Sequence, residues 1–374
     1  MDRKLIKNVD WMLVALVVLL MIFSLIILSS ASYNLGADRW EFVRKQALWM
    51  GIGLVAALAI VFISYQNAAR YAWHLYGLTL LLLFSVILFG TDINGSQRWI
   101  KLGSFQFQPS ELAKLLLIVA FADFLSKRQG KLERFVDLVP CFMFMAVPMS
   151  LILIQPDLGT SLVLIAVMFG MLLVAGANKK ILLSLVLGGA AVVSTALIGY
   201  FYWGLSLPLQ DYQIMRLVIF FNPDMDPAGF GYQIRQSLIA IGSGGLLGKG
   251  LYNGSQVQLN FLPEHHTDFI FAVVGEELGF IGAAVLLLLF MLLIFRAIRI
   301  ALDARDVFGS LIVMGITSML LFQVLVNVGM TISVMPITGL PLPFVSYGGT
   351  SMLTNMMALG LLLNVHIRRQ TIMF

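Results

Sequence analysis

The chain has a single cysteine, Cys141, among 374 residues. With no second thiol, an internal disulfide is excluded, and so is a metal site built on cysteines. Charge is also scarce: 11% of residues are charged and 60% are hydrophobic. That balance excludes an ordinary soluble globule. No Pro/Ser linker, low-complexity tract or internal repeat divides the sequence, which reads as a single membrane domain over 1–374. The long apolar runs lack the strict alternation of a membrane β-barrel, so an all-α, polytopic helical bundle is the class that remains. The first run, 11–31, has no cleavage site set off by turn residues and reads as a retained span rather than a signal peptide. The net charge of +5 could suggest nucleic acid, but in such a chain basic residues mainly set orientation.

Ten apolar segments meet the length of about 20 residues needed to cross a bilayer. They are 11–31, 46–64, 71–90, 109–125, 137–154, 158–177, 181–203, 267–295, 307–334 and 346–366. A cytoplasmic N-terminus puts fifteen Lys and Arg on inner segments and eight on outer ones, with Lys114 in a span completing the 24. The bias places both termini in the cytoplasm. The long stretch 203–267 then falls on the extracytoplasmic side as a re-entrant or interfacial segment. Within it, Asp226-Pro227 starts a short helix that ends at the run Gly242-Ser243-Gly244-Gly245. A second outer loop, 91–107, carries Asn94, Gln97, Arg98, Trp99 and Lys101.

The remaining polar residues are conspicuous. Pro263-Glu264-His265-His266-Thr267-Asp268 sets two acids and two of the four histidines against an apolar run. Such a cluster at a membrane boundary costs free energy unless partners, water or a ligand satisfy it. Thr267 is placed to cap the eighth span, with Asp268 in its first turn. There the helix dipole favours the ionised carboxylate and burial the neutral one, opposed pulls that suit a general base. An ordinary N-terminal acid is the simpler alternative. His265 and His266 could assist, bind phosphate or ligate a metal. Gln108-Pro109-Ser110-Glu111 opens the fourth span, and Glu111 and Lys114 share a face at i,i+3. That pair either settles helices structurally or presents Lys114 to a phosphate. Gln155-Pro156-Asp157-Leu158-Gly159-Thr160 reads as a turn and helix cap emerging on the same side. Glu276 and Glu277 either hold helices together or meet a polar cavity.

Two motifs mislead. Gly244-Gly245-Leu246-Leu247-Gly248-Lys249-Gly250 lacks the spacing and final Ser/Thr of a phosphate loop, so no nucleotide site follows. The run from Gly339 to Ser351 is a broken approach to the tenth span, where Ser346 could line a cavity and Gly348-Gly349 could equally mark tight packing.

Together, Gln108–Glu111, Gln155–Thr160, His266-Thr267-Asp268-Phe269-Ile270-Phe271 and Pro341-Leu342-Pro343-Phe344-Val345-Ser346-Tyr347-Gly348-Gly349 resemble the SEDS family of shape, elongation, division and sporulation proteins. The stretches Phe221–Pro227, Gly244–Gly250 and Phe261–Glu264 are most similar to its elongation branch. The resemblance implies a ten-span peptidoglycan glycosyltransferase that polymerises lipid II on the outer face of the bacterial cytoplasmic membrane. It also implies a class B penicillin-binding protein as transpeptidase partner, other elongation-complex membrane proteins, and dependence on a divalent cation (Mg or Mn) with unassigned ligands, Asp268 being one candidate. The family's essential aspartate maps onto Asp268, its intramembrane acid and base onto Glu111 and Lys114, and a further cavity residue onto Asp157.

Such a transfer inverts the anomeric carbon, because the donor is α-linked to pyrophosphate and the glycan is β-linked. It needs a base for the acceptor 4-hydroxyl, assigned to Asp268, and cations for the departing diphosphate. Arg98, Lys114, Arg216 and Arg235 are the candidates, with His266 and Ser346 as further cavity residues. Two rival readings stand: a lipid II flippase, and a non-catalytic activator of a penicillin-binding protein.

Overall fold

The computed structural model describes residues 8–34, 39–93, 96–103, 105–204 and 210–369. Arg3, Lys4 and Lys7, counted above among the inner basic residues, and Asn94 of the second outer loop lie outside the described residues, as do 205–209 of the long segment.

Each of the ten apolar segments is helical: α1 (Trp11–Ala31), α2 (Glu41–Phe62), α4 (Ala72–Phe89), α5 (Pro109–Ser126), α6 (Phe135–Ile154), α7 (Leu158–Val174), α8 (Lys179–Trp203), the pair α12 (Ile270–Glu277) and α13 (Gly279–Leu302), α14 (Val307–Thr331) and α15 (Gly349–Ile367). Short helices intervene as α3 (Tyr65–Arg70), α9 (Asp211–Phe221), α10 (Phe230–Gly244) and α11 (Ser255–Gln258). Among the described residues, eight helices are long and apolar enough to cross a membrane. The other two segments fall short for visible reasons: α7 has 17 residues, and α5 carries Glu111, Lys114 and Asp123.

Ridges of small residues set the packing at the centre. α15 lies along α2 so closely that a Cβ on Gly360 would sit 2.8 Å from the carbonyl oxygen of Ala57, and one on Gly53 would meet Met356. Of those eight helices α14 and α15 are the most enclosed, at 67% and 83% buried, whereas α8 is 6% buried and touches little besides α7.

Three features differ from the sequence reading. The loop 91–107 is a small antiparallel sheet, β1 (Thr91–Ile93), β2 (Ser96–Leu102) and β3 (Phe105–Phe107), in the order β1-β2-β3. The stretch from Asp226 opens with a cap rather than a helix. Gly229 N and Phe230 N donate to the Asp226 carboxylate at 2.9 and 2.8 Å, so α10 starts at Phe230.

The third difference is that the eighth segment is broken. Gly279 adopts φ +64°, and a Cβ there would lie 2.3 Å from Gly248 N. The string Gly244–Gly250 fills the break. Lys249 N and Gly250 N donate to the carbonyls of Glu276 and Glu277 at 3.0 and 2.9 Å. Phe280 N and Ile281 N donate to those of Gly245 and Leu246 at 2.9 and 3.1 Å. The string that resembled a phosphate loop therefore satisfies the backbone groups that the interrupted helix leaves unpaired.

A second, smaller core forms under the long segment from Ile219, Ile234, Ala240, Leu262, Phe269, Ala272, Met330 and Ile337. It fixes α9 and α10 against α12 and α14. The start of α1 and the end of α15 lie at the opposite end of the bundle, where Asp10 pairs with Arg296 at 2.5 Å and Arg369 with Asp303 at 3.5 Å.

Candidate functional site

Asp268 sits two residues before α12. Thr267 does not cap that helix: its hydroxyl donates to the carbonyl and carboxylate of Glu264 at 3.2 and 3.0 Å, and α12 begins at Ile270 without a side-chain cap. The expected cap and first-turn placement are therefore both replaced by a turn, which takes Asp268 off the helix dipole. The next residue, Phe269, is buried in the smaller core. Asn327 Nδ2 on α14 donates to the Asp268 carbonyl at 2.9 Å and to the Leu340 carbonyl at 2.8 Å, tying this turn to the run before α15.

The carboxylate itself is part-buried, and both its burial and the charges around it act on its protonation. Burial and the Glu264 charge push it up to about 6, against the opposing pull of Arg216 and Arg98. A Cβ built on Gly339 (φ +74°) would lie 3.3 Å from Asp268 Oδ2 and 3.8 Å from Arg216 Nη1. That bare glycine leaves carboxylate and guanidinium facing the same small space.

Arg216 comes from α9, three residues before Ile219 of the smaller core. Its Nη1 donates to the Thr338 carbonyl at 3.2 Å, and its guanidinium lies over the rings of Phe230 and Tyr212, 4.8 and 5.5 Å from their centroids. Burial and the neighbouring Arg98 push it below the usual arginine range. Arg98, from β2, donates to the Tyr212 hydroxyl at 3.2 Å and to the Pro156 carbonyl, and it lies 3.6 Å from Asp157 Oδ1. Asp157 caps α7 as its sequence suggests, accepting from Thr160 N at 3.1 Å and Thr160 Oγ1 at 2.8 Å. The Nε atoms of both arginines are buried without a partner. The result is a charge string, Asp268–Arg216–Arg98–Asp157, held by a sheet, a surface helix, a helix cap and two loops.

The other expected site residues fall out as follows. Gln108 Nε2, at the start of α5, donates to Asp157 Oδ2 at 3.4 Å, so the string touches that helix end. Glu111 and Lys114 lie within the next turn and form a closed pair of 2.7 Å with almost no exposed side-chain surface. The structure does not bring them to the string by direct contact. Arg235 is not brought there either: it forms an exposed pair with Asp224. Ser346 is a tie rather than a cavity wall, donating to the Thr267 carbonyl at 2.6 Å and accepting from Leu342 N at 2.9 Å. His266 packs against Phe42, with ring centroids 4.6 Å apart, and burial with the adjacent His265 holds it below the ordinary histidine range. His265 places its ring nitrogens 2.7 and 2.9 Å from the carbonyls of Leu262 and Ala31.

Sequence reasoning missed Tyr212 and Asn327. Tyr212 donates to the Pro156 carbonyl and accepts from Arg98 and from Gln213 Nε2, the latter at 3.1 Å. Its spacing of four from Arg216 on one helix face was the available signal.

The residues around Asp268 do not fit a resident divalent cation. Two guanidinium groups face a single part-buried carboxylate, and Glu264 is engaged with Thr267. Among the described residues no group of three His, Cys, Asp or Glu converges.

Fold and site define a polytopic helical membrane protein with a charged cluster at one end of its bundle. The family described as the FtsW, RodA and SpoVE cell cycle proteins matches residues 10–371. The chain is 41% identical to stage V sporulation protein E of Bacillus subtilis, over 95% of this chain and 96% of that one. It is 37% identical to peptidoglycan glycosyltransferase MrdB of Escherichia coli, over 96% and 93%. The rod shape determining protein RodA of Thermus thermophilus superposes with a TM-score of 0.72 at 33% identity, over 97% of this chain and 98% of that one. A chain from a peptidoglycan synthase complex coordinating polymerization and crosslinking gives 0.80 at 35%, over 96% and 98%. This chain belongs to the FtsW/RodA/SpoVE family, the SEDS proteins its motifs resembled.

Proposed function

We propose that this protein is a peptidoglycan glycosyltransferase that polymerises lipid II, working at the outer face of the bacterial cytoplasmic membrane with both termini inside the cell. Relatives at 37% identity over nearly the whole chain carry the name of that activity. The observation that carries the reading is the Asp268 carboxylate, raised to about 6 and sharing one small space with the Arg216 guanidinium.

Asp268 takes the proton of the acceptor 4-hydroxyl as its oxygen bonds to the donor's anomeric carbon. The bond from that carbon to the diphosphate breaks on the opposite face, giving inversion. Arg216 and Arg98, each with a buried unpartnered Nε, offset the charge leaving with the diphosphate. Their partly desolvated setting strengthens that interaction. Asp157, Tyr212 and the Pro156 carbonyl position Arg98. Glu111 and Lys114 brace the first turns of α5, whose Gln108 reaches Asp157. The transpeptidase partner is a class B penicillin-binding protein, in line with the synthase complex that this fold matches.

The test is glycan polymerisation from lipid II by the purified protein, with products resolved on a gel. Asp268→Asn should lower the rate by about a hundredfold or more while the protein stays folded. Full polymer yield from that variant, or lipid II translocation without polymer from the wild type, would refute the assignment.

A further inference from the structure

Two consecutive carboxylates, Glu276 and Glu277, end α12, and both are fully enclosed. Neither belongs to the charge string. Glu276 Oε1 accepts from Lys249 Nζ at 2.7 Å, Ser255 Oγ at 3.1 Å and Gln256 N at 3.0 Å. Glu277 Oε1 accepts from Ser30 Oγ at 2.6 Å. The second oxygen of each, Glu276 Oε2 and Glu277 Oε2, is buried without a partner. So are the side-chain carbonyl oxygens of Gln256 and Gln258 on the α11 turn. The Gln258 amide is oriented by its Nε2, which donates to the Ser30 carbonyl at 3.1 Å. Both acids face that turn: a Cβ built on Gly254 would lie 2.9 Å from Glu276 Oε2 and 3.1 Å from Glu277 Oε1.

All four orphans are acceptors, and every one is oxygen. Hydrogen-bond donors are spent on the other two carboxylate oxygens. With both acids ionised, the single ammonium of Lys249 leaves one negative charge unbalanced in a buried setting, an expensive condition without a counter-charge. Carboxylate and carbonyl oxygens together are the donor set of hard cations. A divalent ion would overshoot the balance by one charge, and a monovalent ion meets it.

We propose that Glu276, Glu277, Gln256 and Gln258 hold a hard monovalent cation, sodium being the probe, which ties the α11 turn to the end of α12 beside the helix break. The site is structural and independent of glycosyl transfer.

The experiment follows thermal unfolding of the full-length protein in detergent, in choline chloride at fixed pH and ionic strength, with sodium chloride titrated in its place. A saturable rise in Tm is expected, because an ion bound only by the folded state stabilises it by mass action. Glu277→Gln keeps the shape and the Lys249–Glu276 pair but removes the surplus charge. It should unfold normally in choline and lose the sodium response. A flat wild-type Tm from choline to sodium would overturn the proposal. So would an undiminished sodium response in Glu277→Gln, or magnesium raising Tm at concentrations far below those at which sodium acts.

Discussion

At the scale of single residues, protonation state and charge pairing are what can be read and tested. A base must be ionised to act, so the rate should be low under acid conditions and climb through about pH 6 as Asp268 loses its proton. Arg216 pulls that carboxylate down, so Arg216→Gln should move the acid limb of the pH–rate profile to higher pH as well as lower the plateau. An unchanged midpoint would detach Arg216 from Asp268. Lys114 poses a different question. Its pair with Glu111 is enclosed, so Lys114→Ala strands a buried carboxylate at a cost of about 3–5 kcal/mol. The double substitution Glu111→Gln with Lys114→Met should recover thermal stability; polymerisation that recovers with it would mark the pair as architectural. The Asp157 cap was legible from residue type and neighbours. Arg235 was not, because an arginine's reach allows many partners and Asp224 took it.

At the scale of elements, hydropathy located a helix in each apolar segment but could not see the interruption at Leu278–Gly279. A window over 267–295 averages across its three glycines, and what breaks the helix at Gly279 is another stretch of backbone, from far away in the sequence. The glycines that looked like a failed phosphate loop are explained by that contact. A Cβ on Gly248 (φ +78°) would lie 2.1 Å from the Glu277 carbonyl oxygen. Gly248→Ala and Gly279→Ala should each destabilise the protein by more than about 1 kcal/mol, read as a lower Tm in detergent. The same substitution at Gly176, where a Cβ meets nothing within 4 Å, isolates the conformational part of that cost. The missing Thr267 cap has a similar origin. A Thr before an apolar run signals a helix start locally, but here its hydroxyl turned back to Glu264.

For the whole molecule, the polar helix ends sort into two groups, and which group faces outward is open to a direct test. Asp268, the Asp157 cap and the start of α5 gather at one end, with Asp10, Arg296, Asp303 and Arg369 at the other. Because Cys141 is buried, an introduced thiol is a clean reporter of sidedness. On intact cells an impermeant maleimide should label Arg235→Cys and spare Lys131→Cys; the reverse pattern would invert the topology and remove the site from the outer face.

The glycine clasp binds distant stretches of chain into one cooperative unit. In hydrogen exchange, the amides of Lys249 and Gly250 should therefore open together with those of Phe280 and Ile281, although some thirty residues separate them. The segment bearing Asp268 lies between those two anchors, so loosening either one would free the turn that holds the carboxylate.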